Sequence, residues 1–198
     1  LICAAHGHTL VLFTSYDQMG HVYEQLQGRL PVPLFQAPRG AQRFVEQFKQ
    51  CPNAVLLAGG PCWEGVDFPG DGVSLLVIVR LPFPVPDPVR EARREQYPDL
   101  HSYIQTEIVP EMQQKLRQGF GRAIRTETDN CAVAILDPRA APGGRYHRAV
   151  LEALPSGIPV TTNIEAIQTF LRARKSPDFF LTEFENDSKQ SDSKTNTK

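Results

Sequence analysis

The sequence predicts an α/β fold: a mainly parallel sheet with helices on both faces. Short apolar runs of strand length alternate with stretches whose apolar residues recur at helical spacing. Those runs rarely alternate with polar residues, which marks strands buried on both faces rather than wetted on one. The chain has 198 residues, 41% hydrophobic and 22% charged, enough for one soluble domain of ordinary size and a tail.

The first unit is "TLVLFT" (9 to 14), of strand length, followed by "SYDQMGHVYEQLQ", where Met19, Val22, Tyr23 and Leu26 fall on one helical stripe. "VPLFQ" (32 to 36) is a second strand, and Phe44, Val45 and Phe48 mark the helix after it. "NAVLLAG" and "VSLLVIVRL" read as two further strands, buried on both faces, and "CAVAILD" (131 to 137) as one more, before the helical "GRYHRAVLEAL". Between them a turn with Pro82, Pro84, Pro86 and Pro88 opens a charged helical excursion at about 83 to 109, too short for a core of its own. "TNIEAIQTFLRARK" gives a last amphipathic helix. The domain is expected to span 1 to 185, and from Asn186 the apolar-free tail is expected to be disordered. The opening "LICAAHG" reads as the end of a helix cut from something longer.

The formal net charge of -1 advertises no global basic field, so any phosphate-backbone binding has to come from a local patch. Cys3, Cys51, Cys62 and Cys131 show neither C-x-x-C spacing nor a paired framework, which points to a reducing compartment and away from zinc or iron-sulfur ligation. No apolar run approaches the ~20 residues that span a bilayer, so no membrane partner and a cytoplasmic location are expected. His6 and His8 lack an acid or thiol partner for a metal and read as loop residues.

In a sheet of this class ligands meet the loops past the carboxyl ends of the strands, after Phe13, Ala58, Leu81 and Leu136. A helix predicted from Pro110 to near Arg125 adds a second feature. On a wheel of about 100° per residue, Gln114, Gln118, Gly121, Arg122 and Arg125 share one arc, and Met112, Leu116, Phe120 and Ala123 lie opposite. Glycine costs ~1 kcal/mol in a helix, so Gly119 and Gly121 suit a backbone that something must approach closely. Two guanidiniums beside it suit polyphosphate oxygens.

Gln118, Gly121, Arg122 and Arg125 spell Q-x-x-G-R-x-x-R, which resembles motif VI of superfamily-two helicases. "GGPCWEGVDFPGD" (59 to 71) is similar to motif V of their XPD/DinG branch, "TLVLFTSYDQM" to its motif IV, and "AILDPR" to the D-x-R that follows motif VI. The order matches as well, over about residues 9 to 139. The resemblance implies a second RecA-like motor domain that works against a first one carrying the phosphate-binding loop and the magnesium-holding acid; no G-x-x-x-x-G-K-[ST] occurs in this sequence. It implies ATP and Mg2+ shared with that first domain, single-stranded DNA as partner, and translocation from five-prime to three-prime in repair or replication. A family iron-sulfur cluster would sit in the first half. This chain alone is expected to be inactive.

By the same resemblance Arg122 and Arg125 act as arginine fingers and Gln118 senses the phosphate. Asp67 faces the nucleotide, with Gly65 and Gly121 keeping the backbone open, while Glu64 and Gly65 lie near the nucleic-acid backbone. Thr14 and Ser15 are DNA contacts, with Ser15 equally a plain N-cap. Trp63 is assigned to base stacking or to packing. Arg90, Arg93 and Arg94 line a strand path or, given the interleaved Glu91 and Glu95, form a salt-bridged helix. Asp137 and Arg139 read as a structural pair. A non-catalytic RecA-like binding module and an RNA substrate remain the rivals.

Overall fold

Five apolar segments become five strands: β1 (Thr9–Phe13), β2 (Leu34–Ala37), β3 (Val55–Gly59), β4 (Leu75–Ile78) and β5 (Ala132–Ile135). The structure, a computed structural model, describes residues 1–38, 42–51, 53–63, 68, 72–124 and 130–180. All strand pairs are parallel, in the order β2-β3-β1-β4-β5. Central β1 sets the register, with Leu10 level with Leu56 on one side and Leu76 on the other. Every residue of β1, β3 and β4 is buried, as their uninterrupted apolar runs require. The half-buried β5 closes one edge.

Successive side chains of a strand point to opposite faces, so the sheet organises two cores. Leu10, Leu12, Leu56, Ala58, Leu76 and Ile78 face one side. There they meet Val45 and Phe48 of α2 (Gln42–Gln50), Met112, Leu116 and Phe120 of α5 (Val109–Phe120), and Val150 of α6 (His147–Ala153). Val11, Phe13, Val55, Leu57, Leu75 and Val77 face the other side, under Met19 of α1 (Tyr16–Leu26) and Leu171 of α7 (Glu165–Arg174). The predicted α/β layering is what forms.

At the amino ends of the strands, His6 and His8 are loop residues in left-handed backbone (φ 47° and 41°). The His8 ring stacks on Phe179 at 4.1 Å, and Asn53 donates its amide to the carbonyls of His6 (2.9 Å) and Phe179 (3.3 Å). They fasten the segment after α7 to the bottom of the sheet. The opening residues form a short 3-10 turn, Cys3–Ala5, where the sequence suggested the end of a longer helix.

The excursion differs from its sequence reading in one respect: it does not end before the arginine-bearing helix but runs into it. After α3 (Pro88–Arg94) and α4 (Leu100–Tyr103), a π turn at Ile104–Ile108 continues directly into α5. Proline at position 110 lacks the N–H of a regular turn and crowds the carbonyl four residues back. The wider turn accommodates it, with the Val109 N–H reaching Ile104 O. Helix α3 buries no residue. Ion pairs hold it: Arg90 grips both Glu111 oxygens (2.6 and 2.8 Å), Arg93 meets Glu107 (3.2 Å) and Arg94 meets Glu91 (3.6 Å). The salt-bridged reading of this basic cluster is the one the structure supports.

Candidate functional site at the carboxyl ends of the strands

The chain order reverses at β1: β2 and β3 lie to one side of it, β4 and β5 to the other. Crevices form at such switch points. Here a cleft of about 360 Å³ is walled by the segment after β1 (Phe13 to Tyr16), the Gly59–Gly60 turn after β3, and the proline strap after β4 (Pro82 to Val85). Asp87, Arg90, Glu111 and Lys115 complete its rim. The strap is the loop after Leu81 to which the sequence pointed; Lys115 escaped sequence reasoning, because only the fold brings it to the same rim.

Thr14 and Ser15 are exposed at this cleft. Ser15 is also the N-cap of α1, its hydroxyl accepting from Gln18 N at 3.3 Å, so the capping role is filled and does not compete with exposure. Gly60 has φ 52°, and a side chain there would collide with the Tyr16 hydroxyl. Both facts favour glycine. Motif IV and the start of motif V are thus locked together by packing.

Trp63 does not present a ring for stacking. Its side chain is 1% exposed, and the indole N–H donates to Phe13 O at 3.0 Å. The packing assignment replaces the base-stacking one. Its neighbour explains a second residue: a methyl on Gly119 would lie 2.9 Å from Trp63 Cζ3 and 3.1 Å from Cε3. Gly119 is glycine because the indole lies against the helix backbone. It is buried, and the expectation that both glycines open toward a ligand is corrected for this one.

Helix α5 ends at Phe120 and not near Arg125. Gly121 follows as C-cap, and the chain makes one further tight turn, Arg122 N bonding Gly119 O at 3.0 Å and Ile124 N bonding Phe120 O at 3.0 Å. Arg122 leaves from this turn, its Nε donating to Gln118 O at 3.3 Å. Gln118, Gly121 and Arg122 are therefore together and half-exposed. Glu64, Gly65, Asp67 and Arg125 lie outside the described residues.

Gly121 differs from Gly119. Its φ of -61° is open to any residue, and the nearest atom to an added methyl is Gln118 O at 3.4 Å, ordinary contact. Nothing in the described fold demands glycine at this position. An amide and a guanidinium beside a half-exposed backbone turn form a donor set suited to phosphate oxygens. They offer no carboxylate for a magnesium ion. No group of three or more His, Cys, Asp or Glu suited to a metal occurs among the described residues.

The Asp137–Arg139 pair ties β5 to β4. Buried Asp137 accepts from Leu81 N (3.0 Å) and Arg139 N (3.0 Å), and it takes Arg139 Nη2 at 2.6 Å. Burial pushes its carboxyl up, but the Arg139 guanidinium and the two amides outweigh that and hold it at about 2. A folded-state value below the ordinary 3.8 means the stabilisation is complete above about pH 4 and vanishes as pH falls through about 2. Asp137→Asn is expected to cost about 2 kcal/mol at pH 7. In urea titrations at several pH values, the gap between wild type and variant should close between about pH 4 and 2; a gap independent of pH would contradict the assignment.

Residues 1–157 match the family described as helicase C-terminal domain. The chain is 38% identical over 155 residues to the 3'-5' exonuclease DinG of Bacillus subtilis, covering 74% of this chain and 16% of that protein. It is 37% identical over 162 residues to the ATP-dependent DNA helicase YoaA of Haemophilus influenzae, covering 79% of this chain and 25% of that one. With the ATP-dependent helicase DinG of Mycobacterium tuberculosis (strain ATCC 25618 / H37Rv) it shares 35% over 175 residues, 87% of this chain and 26% of the relative. The chain thus spans between 16% and 26% of the length of these relatives. A solved structure titled "XPD_Helicase" superimposes with a TM-score of 0.57 at 23% identity, over 76% of this chain and 28% of that one, a likeness of fold. With a five-stranded parallel sheet in the order β2-β3-β1-β4-β5 and the family matched over residues 1–157, the chain belongs to the helicase C-terminal domain family, beside the DinG and YoaA relatives.

Proposed function

We propose that this domain is the second motor half of an ATP-dependent DNA helicase that moves from five-prime to three-prime along single-stranded DNA in repair or replication in the cytoplasm. Arg122 and Arg125 serve as arginine fingers, Gln118 reports the γ-phosphate, and Asp67 orients the arginines. A first RecA-like domain of the same protein supplies the phosphate-binding loop and the acid that holds magnesium. The observation that carries this reading is Gly121, a glycine with an ordinary φ and room for a methyl, set beside Gln118 and Arg122. Its smallness makes sense if a phosphate approaches the backbone. Thr14, Ser15, Glu64 and Gly65 face the nucleic acid.

Here Arg122 and Gln118 hold donors where negative charge builds as the phosphoryl group moves, and the metal supplies further neutralisation when bound. The domain supplies no attacking group. Its share is positioning and charge stabilisation, delivered only when the two halves close.

The test is the ATPase of the full-length protein with and without single-stranded DNA, single-stranded RNA assayed beside it. DNA stimulation is expected; stimulation by RNA alone would transfer the reading to an RNA motor, and no turnover would leave a non-catalytic module. Gly121→Ala should leave the melting temperature unchanged or slightly higher while lowering kcat about tenfold, the order expected for displacing a positioned group by a methyl radius. Equal kcat would remove the close-approach explanation.

A further inference from the structure

Trp63 closes the 3-10 turn Gly60–Trp63 that follows β3, and it is the largest fully buried side chain among the described residues. It touches two segments to which the proposed function gives different tasks. On one side the indole N–H donates to Phe13 O at 3.0 Å, at the last residue of β1 and directly before Thr14 and Ser15. On the other, Cζ3 and Cε3 of its six-membered ring lie so close to Gly119 that an added methyl would meet them at 2.9 and 3.1 Å. Gly119 follows Gln118 directly. Its carbonyl accepts the Arg122 N–H at 3.0 Å and so closes the turn from which that arginine leaves. The first residue of the 3-10 turn is fixed as well, by the packing of Gly60 against the Tyr16 hydroxyl at the start of α1.

One planar side chain thus spans the interval from the end of β1 to the last turn of α5. Packing alone does not require tryptophan here. A leucine or phenylalanine would fill apolar space with no N–H to satisfy, and a smaller ring would not ask for glycine, a poor helix former, in the helix opposite. The indole instead turns about only two torsions, is tied to a backbone carbonyl fifty positions away in sequence, and has helix backbone against its far edge. Close-packed interiors transmit a displacement rather than absorb it. A shift of Phe13 O is therefore passed to the Gly119 backbone and on to the Arg122 turn.

We propose that Trp63 is a positioning residue: it carries the state of the loop after β1 to the turn bearing Gln118 and Arg122, and so sets how strongly single-stranded DNA stimulates hydrolysis. Being buried, it touches neither nucleic acid nor nucleotide. The inference rests on the helicase reading above and adds to it the side chain that connects the nucleic-acid contacts to the phosphate contacts.

The experiment measures kcat of the full-length ATPase with and without saturating single-stranded DNA, and the affinity for that DNA. The proteins are wild type, Trp63→Phe, Gly119→Ala and the double variant, each assayed below its melting temperature. Phenylalanine keeps a buried ring but loses the N–H and reaches less far toward Gly119. Trp63→Phe should lower the stimulation ratio about tenfold, the order for a positioned group displaced by less than about 1 Å, with unstimulated kcat and DNA affinity within about threefold of wild type. Gly119→Ala keeps the N–H bond and pushes the helix off the ring, so it should lower the ratio as well. In the double variant the methyl occupies the space that the shorter ring leaves, and the ratio should rise above that of either single variant. A ratio unchanged in Trp63→Phe, or a double variant no better than Trp63→Phe alone, overturns the link. So does an equal fall in stimulated and unstimulated kcat, which loss of fold alone would produce. Should Trp63→Phe fail to fold, Gly119→Ala decides, and a wild-type ratio there overturns the proposal. Wild type without DNA-stimulated turnover would instead sink the helicase reading itself.

Discussion

Arg122→Ala in the full-length protein is expected to lower nucleic-acid-stimulated kcat by about 10³, close to 4 kcal/mol of barrier, while changing the affinity for single-stranded DNA less than threefold. The large factor follows from what the transition state of phosphoryl transfer needs. Charge spreads over oxygens already present, so positioned cations do most of the catalysis. Arg122 emerges from the turn after α5 with its Nε bonded to Gln118 O, an anchoring that fixes the stem and directs the terminal nitrogens. Arg122→Lys keeps the charge but not the fork, and should recover only a small part of the loss. Melting curves for both variants separate a loss of fold from a loss of the finger. Stimulated turnover within a factor of ten of wild type for Arg122→Ala would remove it from the finger role.

That role depends on how the helix is supported. One side of α5 carries Met112, Leu116 and Phe120 into the core, and the excursion is clamped to its first turns by Arg90 and Glu111. Force applied at the cleft would thus reach Arg122 along a packed helix rather than through a loop. In the proposal this is the physical link between nucleotide hydrolysis and nucleic-acid contact, with Gln118 in the last turn of α5 and Arg122 in the tight turn that follows it.

The sheet was legible because its information is local: runs such as "TLVLFT" and "NAVLLAG" state their burial on both faces without reference to any other segment. The α5 wheel was legible for the same reason up to Phe120, where helical geometry stops. Beyond it the wheel placed Arg122 by extrapolation, and the real turn is tighter. The π turn before α5 was hidden because Pro110 is equally at home at a helix start, and only the continuous chain from Leu100 chooses between the two. The cleft was the least legible part. Phe83 and Lys115 are 32 positions apart, and neither belongs to a recognised motif; the parallel order of β1 and β4 is what brings them to one rim. Trp63 shows the opposite failure: its type suggested stacking, and burial, a non-local property, decided for packing.

Trp63 and Gly119 give the largest expected effect on stability. Trp63→Ala should cost about 3 to 5 kcal/mol, from the cavity left by a fully buried indole and from the Phe13 carbonyl losing its donor. Gly119→Ala should cost about 1 to 3 kcal/mol through overpacking, less the ~1 kcal/mol that alanine gains in a helix. The pair is coupled, since the atoms that resist the methyl are Cζ3 and Cε3 of the indole's six-membered ring. In a Trp63→Phe background, where the side chain is shorter, the same Gly119→Ala change should turn from destabilising to neutral or favourable. Urea midpoints for the four proteins of this cycle measure the coupling directly, with about 1 kcal/mol or more expected. Were Gly119→Ala equally costly beside Phe and beside Trp, the glycine would not be there for the indole. The place to look would then be a ligand approaching the helix backbone, the role proposed for Gly121.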